Sequence, residues 1–354
     1  MLVLLSIGRF RASIMRESTS KIRHHLLQLC SKGVPNVASE AARDLELSKQ
    51  ATARHLQALE KEGIVKSSGR GKAKVSTLLP LLTSRWKFKK EGLKEDNVWR
   101  ENLAPCFKDF AKNVQDIWDY GITEMLNNAI DHSQGSTVTI FFEATAFDST
   151  VSIIDDGEGI FHRIQRLLGL YDPREAILEL AKGKLTTDPG NHSGQGIFFT
   201  SRMFDKFSIL SRNLSFIHER GTEDWLNDNI DEKPGTTVIL TLENACTRTT
   251  KSVFDTFAPL EDGDYSFSKT IVPVKLARHE GEKLVSRSQA KRLVVRFEKF
   301  ETVVLDFEGV EDIGQAFADE VFRVFAKAHP SVKLMFVNVS PDVQAMISRA
   351  LALQ

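Results

Sequence analysis

A glutamate and an asparagine four residues apart, Glu124 and Asn128, lie in a segment with a helical pattern of apolar residues. This spacing places both side chains on one face of a helix, one turn apart. An amide oxygen can coordinate Mg²⁺, and a carboxylate near it can orient or deprotonate a water molecule beside a phosphate. Many solvent-facing helices carry the same pair, so its meaning depends on the segments that follow it.

An acidic turn with two glycines follows a strand-like apolar run at residues 151–154. Asp155 ends the run, and Gly157 and Gly159 come shortly after it. Glycines at this spacing let the backbone turn tightly against a flat ligand. The aspartate can accept a hydrogen bond from an exocyclic amine such as N6 of adenine. A calcium loop would need more oxygen ligands at alternate positions than this run contains.

Two later segments complete the set. Gly194 and Gly196 directly precede a helical run, where free backbone N–H groups can bind phosphates. Residues 235–242 are a strand entered through a Gly-Thr pair.

In this order and at these spacings, the four segments resemble the N box, the two glycine boxes and the final Gly-Thr strand of the gyrase, chaperone, histidine-kinase and mismatch-repair (GHKL) superfamily. The resemblance covers residues 95–245 and implies an α/β sandwich that binds ATP and Mg²⁺. It assigns Glu124 as general base, Asn128 as Mg²⁺ ligand and Asp155 as the residue that contacts adenine. The other nucleotide contacts that it implies are Asp131, Gly157, Gly159, Ile160, Gly194, Gln195, Gly196, Ile197 and Thr237.

The resemblance also implies an ATP lid at residues 161–189. Lys182 and Lys184 lie in it, and each is either a surface lysine or a group that reaches the γ-phosphate. A sensor histidine kinase is not expected, because nothing upstream resembles the dimerising phosphoacceptor helices. His24 and His25 are interpreted as surface residues of a different domain.

That domain, residues 18–82, is predicted to be a winged helix-turn-helix. Three helical stretches, the last capped by Ser48, precede two short strands joined by a glycine-containing turn. The segment LSKQATARHLQALEKEGIV resembles the recognition-helix region of bacterial winged-helix regulators. The resemblance implies that the major groove of double-stranded DNA is contacted by Lys49, Gln50, Ala53 and Arg54. It places near phosphates Arg70, Lys72 and Lys74.

The distribution of charge favours this interpretation. The whole chain has a formal net charge of zero, but residues 1–90 contain 18 Lys and Arg against 6 Asp and Glu. A basic end on an acidic remainder is typical of a polyanion-binding module attached to another domain. Use of the winged helix for protein contact stays open as the alternative.

The C-terminal residues 285–354 alternate strand and helix patterns, with strands at 302–307 and 333–338 and helices at 313–327 and 343–353. The segment LDFEGVEDIGQAFADEVFRVF resembles the STAS-like domain of unknown function found behind GHKL domains. The resemblance implies protein–protein contact, a homodimer or intramolecular regulation. The corner at 312–315 has no hydroxyl residue where STAS anti-anti-sigma domains are phosphorylated, so a serine switch is not expected. Residues 246–284 are assigned to a linker.

The sequence therefore predicts a multidomain α/β protein: a winged helix-turn-helix, a GHKL α/β sandwich and a small STAS-like α/β domain. Residues 1–17 are expected to be disordered or to precede the natural start, which would be Met15. Three distant cysteines without CxxC spacing argue against a disulfide framework or a zinc site and suit a cytoplasmic protein. The apolar run at 1–7 is too short for a signal peptide or a membrane span, and no membrane contact is expected.

The expected function is that of a regulator in which ATP binding gates DNA binding or partner binding. Two alternatives remain. One is a serine/threonine protein kinase of the anti-sigma-factor type that acts on a separate partner. The other is a slow ATPase that works as a dimeric clamp.

Overall fold

The computed structural model describes residues 17–185, 194–221, 225–257, 267–278 and 282–352. They form a mixed α/β protein with several sheets, which confirms the expected fold class at that level. The chain divides into two compact units. The first comprises the described residues up to Lys87 together with 139–152 and 241–246, and the second comprises the remainder. None of the helices in the described ranges has both the length and the apolar character needed to cross a membrane.

The first unit begins with three helices and a hairpin, in the order that the sequence predicts. Their bounds are α1 (Glu17–Ser31), α2 (Val37–Asp44), α3 (Lys49–Lys61), β1 (Val65–Ser68) and β2 (Val75–Leu78). The strands pair antiparallel, with Val65 opposite Leu78. Ser48 caps α3 by accepting a hydrogen bond from the amide of Ala51. The buried Thr52 hydroxyl donates to the carbonyl of Ala38 at 2.7 Å, which joins α3 to α2.

Five strands form the largest sheet. Their bounds are β3 (Leu82–Lys89), β4 (Thr137–Ala144), β5 (Asp148–Asp155), β6 (Lys206–Glu219) and β7 (Trp225–Glu243). Their order across the sheet is β3-β4-β5-β7-β6. Along β5 the residues alternate between fully and partly buried positions, as expected for a strand with one face in the core.

The second unit contains helices between residues 95 and 257. Their bounds are α4 (Glu95–Val98), α5 (Ala104–Phe107), α6 (Lys112–Asn127), α7 (Ile160–Leu168), α8 (Glu175–Lys182), α9 (Gly196–Met203) and α10 (Thr250–Phe257). The buried indole of Trp118 stacks on Phe107 at 4.9 Å between ring centroids and meets Phe204 edge-on at 4.8 Å. A side chain at Gly121 would lie 2.4 Å from the Phe204 ring, so glycine is required for this approach. The packing fixes α6 against α9.

The C-terminal part of the second unit is a three-stranded parallel sheet with helices. Its elements are β8 (Lys269–Pro273), α11 (Arg287–Val294), β9 (Thr302–Asp306), α12 (Gln315–Asp319), α13 (Ala326–Ala328), β10 (Lys333–Val337) and α14 (Pro341–Leu351). A wider turn at Glu320–Phe325 connects α12 to α13. The strand order is β10-β9-β8, and Thr302 pairs with both Lys269 and Lys333.

One strand of this sheet lies in a segment that the sequence assigned to a linker. The linker was expected over residues 246–284, yet β8 falls inside that range and pairs along its whole length with β9. A five-residue run of mixed residues has too little pattern to indicate a strand by itself. Its structure comes from backbone pairing with residues more than 30 positions away.

Candidate functional site

A cavity of about 410 Å³ lies within the second unit, in the size range of small-molecule sites. Elements β5, β7 and α6 to α9 contribute to its walls. Eight of the residues singled out from the sequence line it: Glu124, Asn128, Asp155, Gly159, Ile160, Gly194, Gly196 and Ile197. Four others do not: Asp131, Gly157, Gln195 and Thr237.

The wall formed by α6 carries the carboxylate and amide pair. Glu124 and Asn128 lie one turn apart and both line the cavity. At Asn128 the helix changes to a wider π-type turn that runs to His132. Such turns occur mostly as short interruptions of α-helices and are frequent at functional sites. Residues on either side of this change also line the cavity, and sequence spacing did not single them out: Asn127, His132 and Ser133.

Asp155 ends β5 with its side chain buried at the cavity wall. Its Oδ1 accepts hydrogen bonds from the amides of Gly157 at 2.9 Å and Thr236 at 3.2 Å. Burial raises the pKa of this carboxyl, and the two backbone hydrogen bonds counter that rise only in part. The bonds fix the orientation of the carboxylate and involve only one of its two oxygens.

The neighbouring Asp156 has a different environment. Its exposed carboxylate accepts four hydrogen bonds of 2.6 to 2.9 Å from the amides and hydroxyls of Ser136 and Thr137. The bond from the Thr137 amide is the largest of several causes that hold the pKa of Asp156 well below its usual range. Asp156 therefore ties the start of β4 to the turn after β5, while Asp155 faces the cavity.

Two glycines near the cavity lie in close contact with the end of α6 and the residues that follow it. A Cβ atom at Gly196 would lie 2.0 Å from Oε2 of Glu124. A Cβ atom at Gly157 would lie 1.9 Å from the carbonyl oxygen of Ser133. Glycine at these positions lets the start of α9 and the turn after β5 approach the end of α6.

The threonine that supports Asp155 is Thr236, one position before the residue chosen from the sequence. Besides its amide bond to Asp155, the Thr236 hydroxyl accepts a hydrogen bond from the amide of Ile160 at 3.0 Å. Thr237 points to the opposite face of β7, because side chains alternate along a strand. The Gly-Thr-Thr sequence indicates a strand here but leaves open which threonine faces inward.

Neither interpretation of Lys182 agrees with the structure. The side chain is neither at the surface nor in the cavity: it is completely buried. Its Nζ donates to Oε1 of Glu179 at 2.6 Å and to the carbonyls of Arg292 and Val295, each at 3.0 Å. Burial lowers the pKa of Lys182 to about 8, against the opposing effect of Glu179. The reason is tertiary, because the two carbonyls belong to residues more than 100 positions away.

Lys184 is also bound to the C-terminal part of the unit. Its Nζ donates to the carbonyl of Lys299 at 2.7 Å and lies 4.8 Å from the ring centroid of Phe300. It is not among the residues that line the cavity. Of the proposed lid, residues 161–185 are described and include α7 and α8, whereas 186–189 lie outside the described residues.

Arginines from α11 and the residues after it complete these contacts. Arg296 donates to Oε2 of Glu179 at 2.8 Å and to the carbonyl of Gly183 at 2.7 Å. Arg292 donates to Oε1 of Glu175 at 3.3 Å. Helix α8 is thus bound through its charged residues to the C-terminal elements, while Leu180 of the same helix lines the cavity.

The residues predicted to contact DNA lie in the first unit. On α3, Lys49, Gln50 and Arg54 are exposed and Ala53 is half-buried. At the hairpin, Arg70 is exposed, whereas Lys74 is half-buried and pairs with Glu60 at 3.3 Å. The side chain of Lys72 lies outside the described residues.

Comparison with known proteins identifies one part of the chain. A solved structure described as the crystal structure of IcIR transcriptional regulator from Alicyclobacillus acidocaldarius is 15% identical, with 66% of this chain and 91% of that chain covered. Its TM-score of 0.22 is too low to establish a shared fold. A search of curated proteins found no match. Residues 289–344 match the family model described as STAS-like domain of unknown function (DUF4325), so the C-terminal part of the chain is STAS-like, as its sequence predicts.

Proposed function

We propose that the cavity binds ATP with Mg²⁺ in the manner of GHKL proteins, and that the protein is a regulator in which this binding gates DNA binding or partner binding. The observation that carries the proposal is that one cavity brings together Asp155 from β5, Glu124 from α6 and Asn128 from the turn that continues α6. These groups suit the two ends of a nucleotide.

The end near Asp155 suits an adenine ring. Both backbone amides bonded to this carboxylate donate to Oδ1, so Oδ2 is available to accept a hydrogen bond from an exocyclic amine. Apolar side chains on the two strands beside it also line the cavity, Ile153 on β5 and Val238 on β7. A flat, largely apolar ring with one amino group satisfies both the carboxylate and these walls.

The end near α6 suits a phosphate chain with its cation. The described residues contain no group of three or more acidic, histidine or cysteine side chains able to hold a metal alone. Mg²⁺ commonly binds through one or two protein groups together with substrate phosphates and water. Asn128 would supply one such group, and Mg²⁺ would neutralise phosphate charge there. Glu124 lines the cavity at this end and would orient a water or a hydroxyl group. The proposal therefore includes two reactions, hydrolysis of ATP and transfer of its γ-phosphoryl group to a partner.

Binding of a fluorescent ATP analogue tests the site. We expect the wild-type protein to bind it in the presence of Mg²⁺, and Asp155→Asn to weaken binding by at least about tenfold, since a charged acceptor is lost. The variants Thr236→Val and Thr237→Val provide a matched control, because the two residues are adjacent on β7 and face opposite sides of it. Only the first removes a hydroxyl from the cavity side. Absence of binding by the wild type, or equal binding by the Asp155→Asn variant, would contradict the proposal.

We further propose that α1 to β2 form a winged helix that binds double-stranded DNA. The exposed Lys49, Gln50 and Arg54 on α3 and the basic excess of residues 1–90 support this. Selection from a random duplex pool, with and without Mg·ATP, is the direct test. Enrichment of particular DNA sequences that depends on Mg·ATP supports the gated regulator. No enrichment in either condition would indicate a protein-docking module and favour a kinase that acts on a separate partner, which transfer of labelled γ-phosphate would detect.

A further inference from the structure

The cavity contains a cation that the sequence motifs did not single out. Arg163, on the first turn of α7, is the one lysine or arginine among the described residues that line the cavity. Its side chain is only 18% exposed. The carboxylates of Glu124 and Asp155 line the same cavity and repel a polyanion. An anionic ligand therefore gains from a protein cation here in addition to Mg²⁺, and neither Lys182 nor Lys184 lines the cavity to supply it.

The positive charge of Arg163 is only partly neutralised by protein groups. Arg163 and Arg166 share one carboxylate, that of Glu158. Arg166 binds both of its oxygens, at 2.8 and 3.0 Å, and Arg163 binds Oε1 alone, at 2.9 Å. Burial by itself would raise the pKa of Glu158, but the hydrogen bonds from the two arginines outweigh it and lower the pKa. Two guanidinium groups against one ionised carboxylate leave an excess of one positive charge among Arg163, Arg166 and Glu158, which offsets part of the negative charge of Glu124 and Asp155.

Most hydrogen-bond donors of Arg163 are unused. A guanidinium has five N–H donors in a planar fork, and the bond to Glu158 is the one that this side chain makes among the described residues. Its Nε is buried without a partner. Buried donors without partners are costly and therefore rare in proteins. A planar fork with open donors matches the geometry of a phosphate group.

We propose that Arg163 binds the phosphate chain of the ligand and makes the cavity selective for nucleotides over nucleosides. The inference rests on the proposed function, in which the ligand is ATP. When a phosphate binds, the Arg163 guanidinium exchanges its single bond to Glu158 for bonds to the phosphate oxygens. Glu158 is not left unpaired by this exchange, because Arg166 retains both of its bonds to the carboxylate.

The test compares two variants and three probes. Arg163→Gln removes the cation that lines the cavity, while Arg166→Gln removes the same charge from the same carboxylate but outside the cavity wall. The probes are ATP, adenosine and inorganic tripolyphosphate, with affinities measured by calorimetric titration. We expect Arg163→Gln to weaken ATP binding by at least about tenfold, the effect of one charge-assisted hydrogen bond, while adenosine binding changes less than about twofold. Arg166→Gln leaves the cavity cation in place but removes the partner that Glu158 keeps during the exchange, so it should weaken ATP binding less than Arg163→Gln does and change adenosine affinity by less than about twofold.

Thermal unfolding shows whether each variant is folded. If Arg163→Gln does not fold, Arg163→Lys replaces it, because lysine retains the charge without the planar fork. Arg163→Lys is then expected to bind ATP more weakly than the wild type, with adenosine affinity changed less than about twofold, and unchanged ATP affinity would overturn the contact of the planar fork with phosphate.

The other outcomes separate the inference from the proposed function. Equal weakening of ATP and adenosine by Arg163→Gln, or equal wild-type affinity for both, overturns the role of Arg163 and leaves the nucleoside site standing. If the wild type binds tripolyphosphate but neither ATP nor adenosine, the proposed function fails. Loss of tripolyphosphate binding in Arg163→Gln would still support the anion contact. If none of the three probes binds, both are overturned.

Discussion

At the scale of single residues, the candidate site depends on contacts that leave no room for additional atoms. Gly196 begins α9 directly against Glu124, and a Cβ atom there would lie 2.0 Å from the glutamate Oε2 but 3.5 Å from its Cβ. The conflict thus involves the end of the glutamate side chain and not its base. Gly196 is needed for the position of Glu124 as well as for any phosphate contact.

A double-mutant cycle tests this point. Gly196→Ala is expected to displace the end of the Glu124 side chain and to lower the free energy of unfolding by on the order of 1 kcal/mol, the low end of the cost of overpacking, because the obstructing carboxylate can rotate away. In the Glu124→Ala background the same substitution should cost less than about 0.5 kcal/mol, because the obstructing carboxylate is gone. Chemical denaturation of the four proteins measures the coupling. Additive effects would show that Glu124 does not limit the space at Gly196.

Asp155 and Asp156 allow a matched comparison of two adjacent carboxylates. Asp156→Ala removes the acceptor of four hydrogen bonds and is expected to lower stability by on the order of 2 kcal/mol with little direct effect on ligand binding. Asp155→Asn is expected to weaken ligand binding with little effect on stability. The folded-state pKa of Asp156 lies below its ordinary value of 3.8, so its contribution is present above that pH and is lost as the pH falls below it.

Denaturation curves recorded from pH 7 downward provide the measurement. The stability difference between the wild type and Asp156→Ala should shrink below about pH 3.8. A difference that stays constant over this range would be inconsistent with an ionised Asp156 that is stabilised by these bonds.

At the scale of elements, α8 participates in both the cavity and the STAS-like C-terminal part. Leu180 lines the cavity, Glu179 binds Arg296, and Lys182 binds the carbonyls of Arg292 and Val295 at the end of α11. Phe198, another residue of the cavity wall, packs against Phe267 with 4.6 Å between ring centroids. The C-terminal elements therefore support one wall of the cavity, and the segment expected to form the ATP lid is attached to them through α8.

The buried Lys182 gives this attachment a measurable pH dependence. Its folded-state pKa is lowered from 10.5 to about 8, so between these values the unfolded chain binds more protons than the folded one. Stability therefore rises with pH in this window. As the pH rises through this window, the free energy of unfolding of the wild type should increase relative to that of Lys182→Met, by at most about 1.4 kcal/mol per pH unit.

Denaturation at several pH values between 7.5 and 10.5 tests this, with the exposed Lys327→Met as control. Lys327→Met is expected to show the same pH dependence of stability as the wild type, since it leaves the buried Lys182 in place. Parallel curves for the wild type and Lys182→Met would mean that Lys182 does not titrate in this window.

At the scale of the whole molecule, the proposed regulator needs a thermodynamic link between ATP and DNA. If Mg·ATP changes DNA affinity by some factor, saturating DNA must change ATP affinity by the same factor. A coupling of about 1 to 3 kcal/mol, or 5- to 150-fold, is typical of such links. We expect Asp155→Asn to remove the effect of ATP without altering DNA affinity in its absence.

The complementary variant is Arg54→Ala, on the exposed face of α3. It should weaken DNA binding by on the order of 1 to 3 kcal/mol and leave ATP affinity unchanged. Arg43→Ala, an exposed arginine of α2 that pairs with Glu40, is the control and should retain DNA affinity. Fluorescence anisotropy at two salt concentrations measures these effects. Unequal coupling factors measured in the two directions would indicate a change other than linked binding.

The sequence by itself determined the features that depend on local patterns of residues. Helical periodicity placed Glu124 and Asn128 one turn apart, and the apolar run before Asp155 indicated a strand that ends at an acidic turn. Capping and turn residues indicated the three N-terminal helices and their hairpin. The C-terminal motif was sufficient to predict the STAS-like family. The helices, strands and turns depend on residues within about one turn or one strand of each other, whereas the STAS-like prediction depends on a resemblance over a longer segment.

Only the tertiary structure decided which of these side chains face the cavity and which serve other contacts. Strand alternation has two phases, and the packing of β7 selects Thr236 over Thr237. Lys182 is buried because its partners lie more than 100 residues away, and β8 is a strand because β9 pairs with it. Arg163 acquired its significance only when α7 placed it beside the cavity. Local patterns do not encode such distant neighbours, since burial and charge balance arise only when the elements pack together.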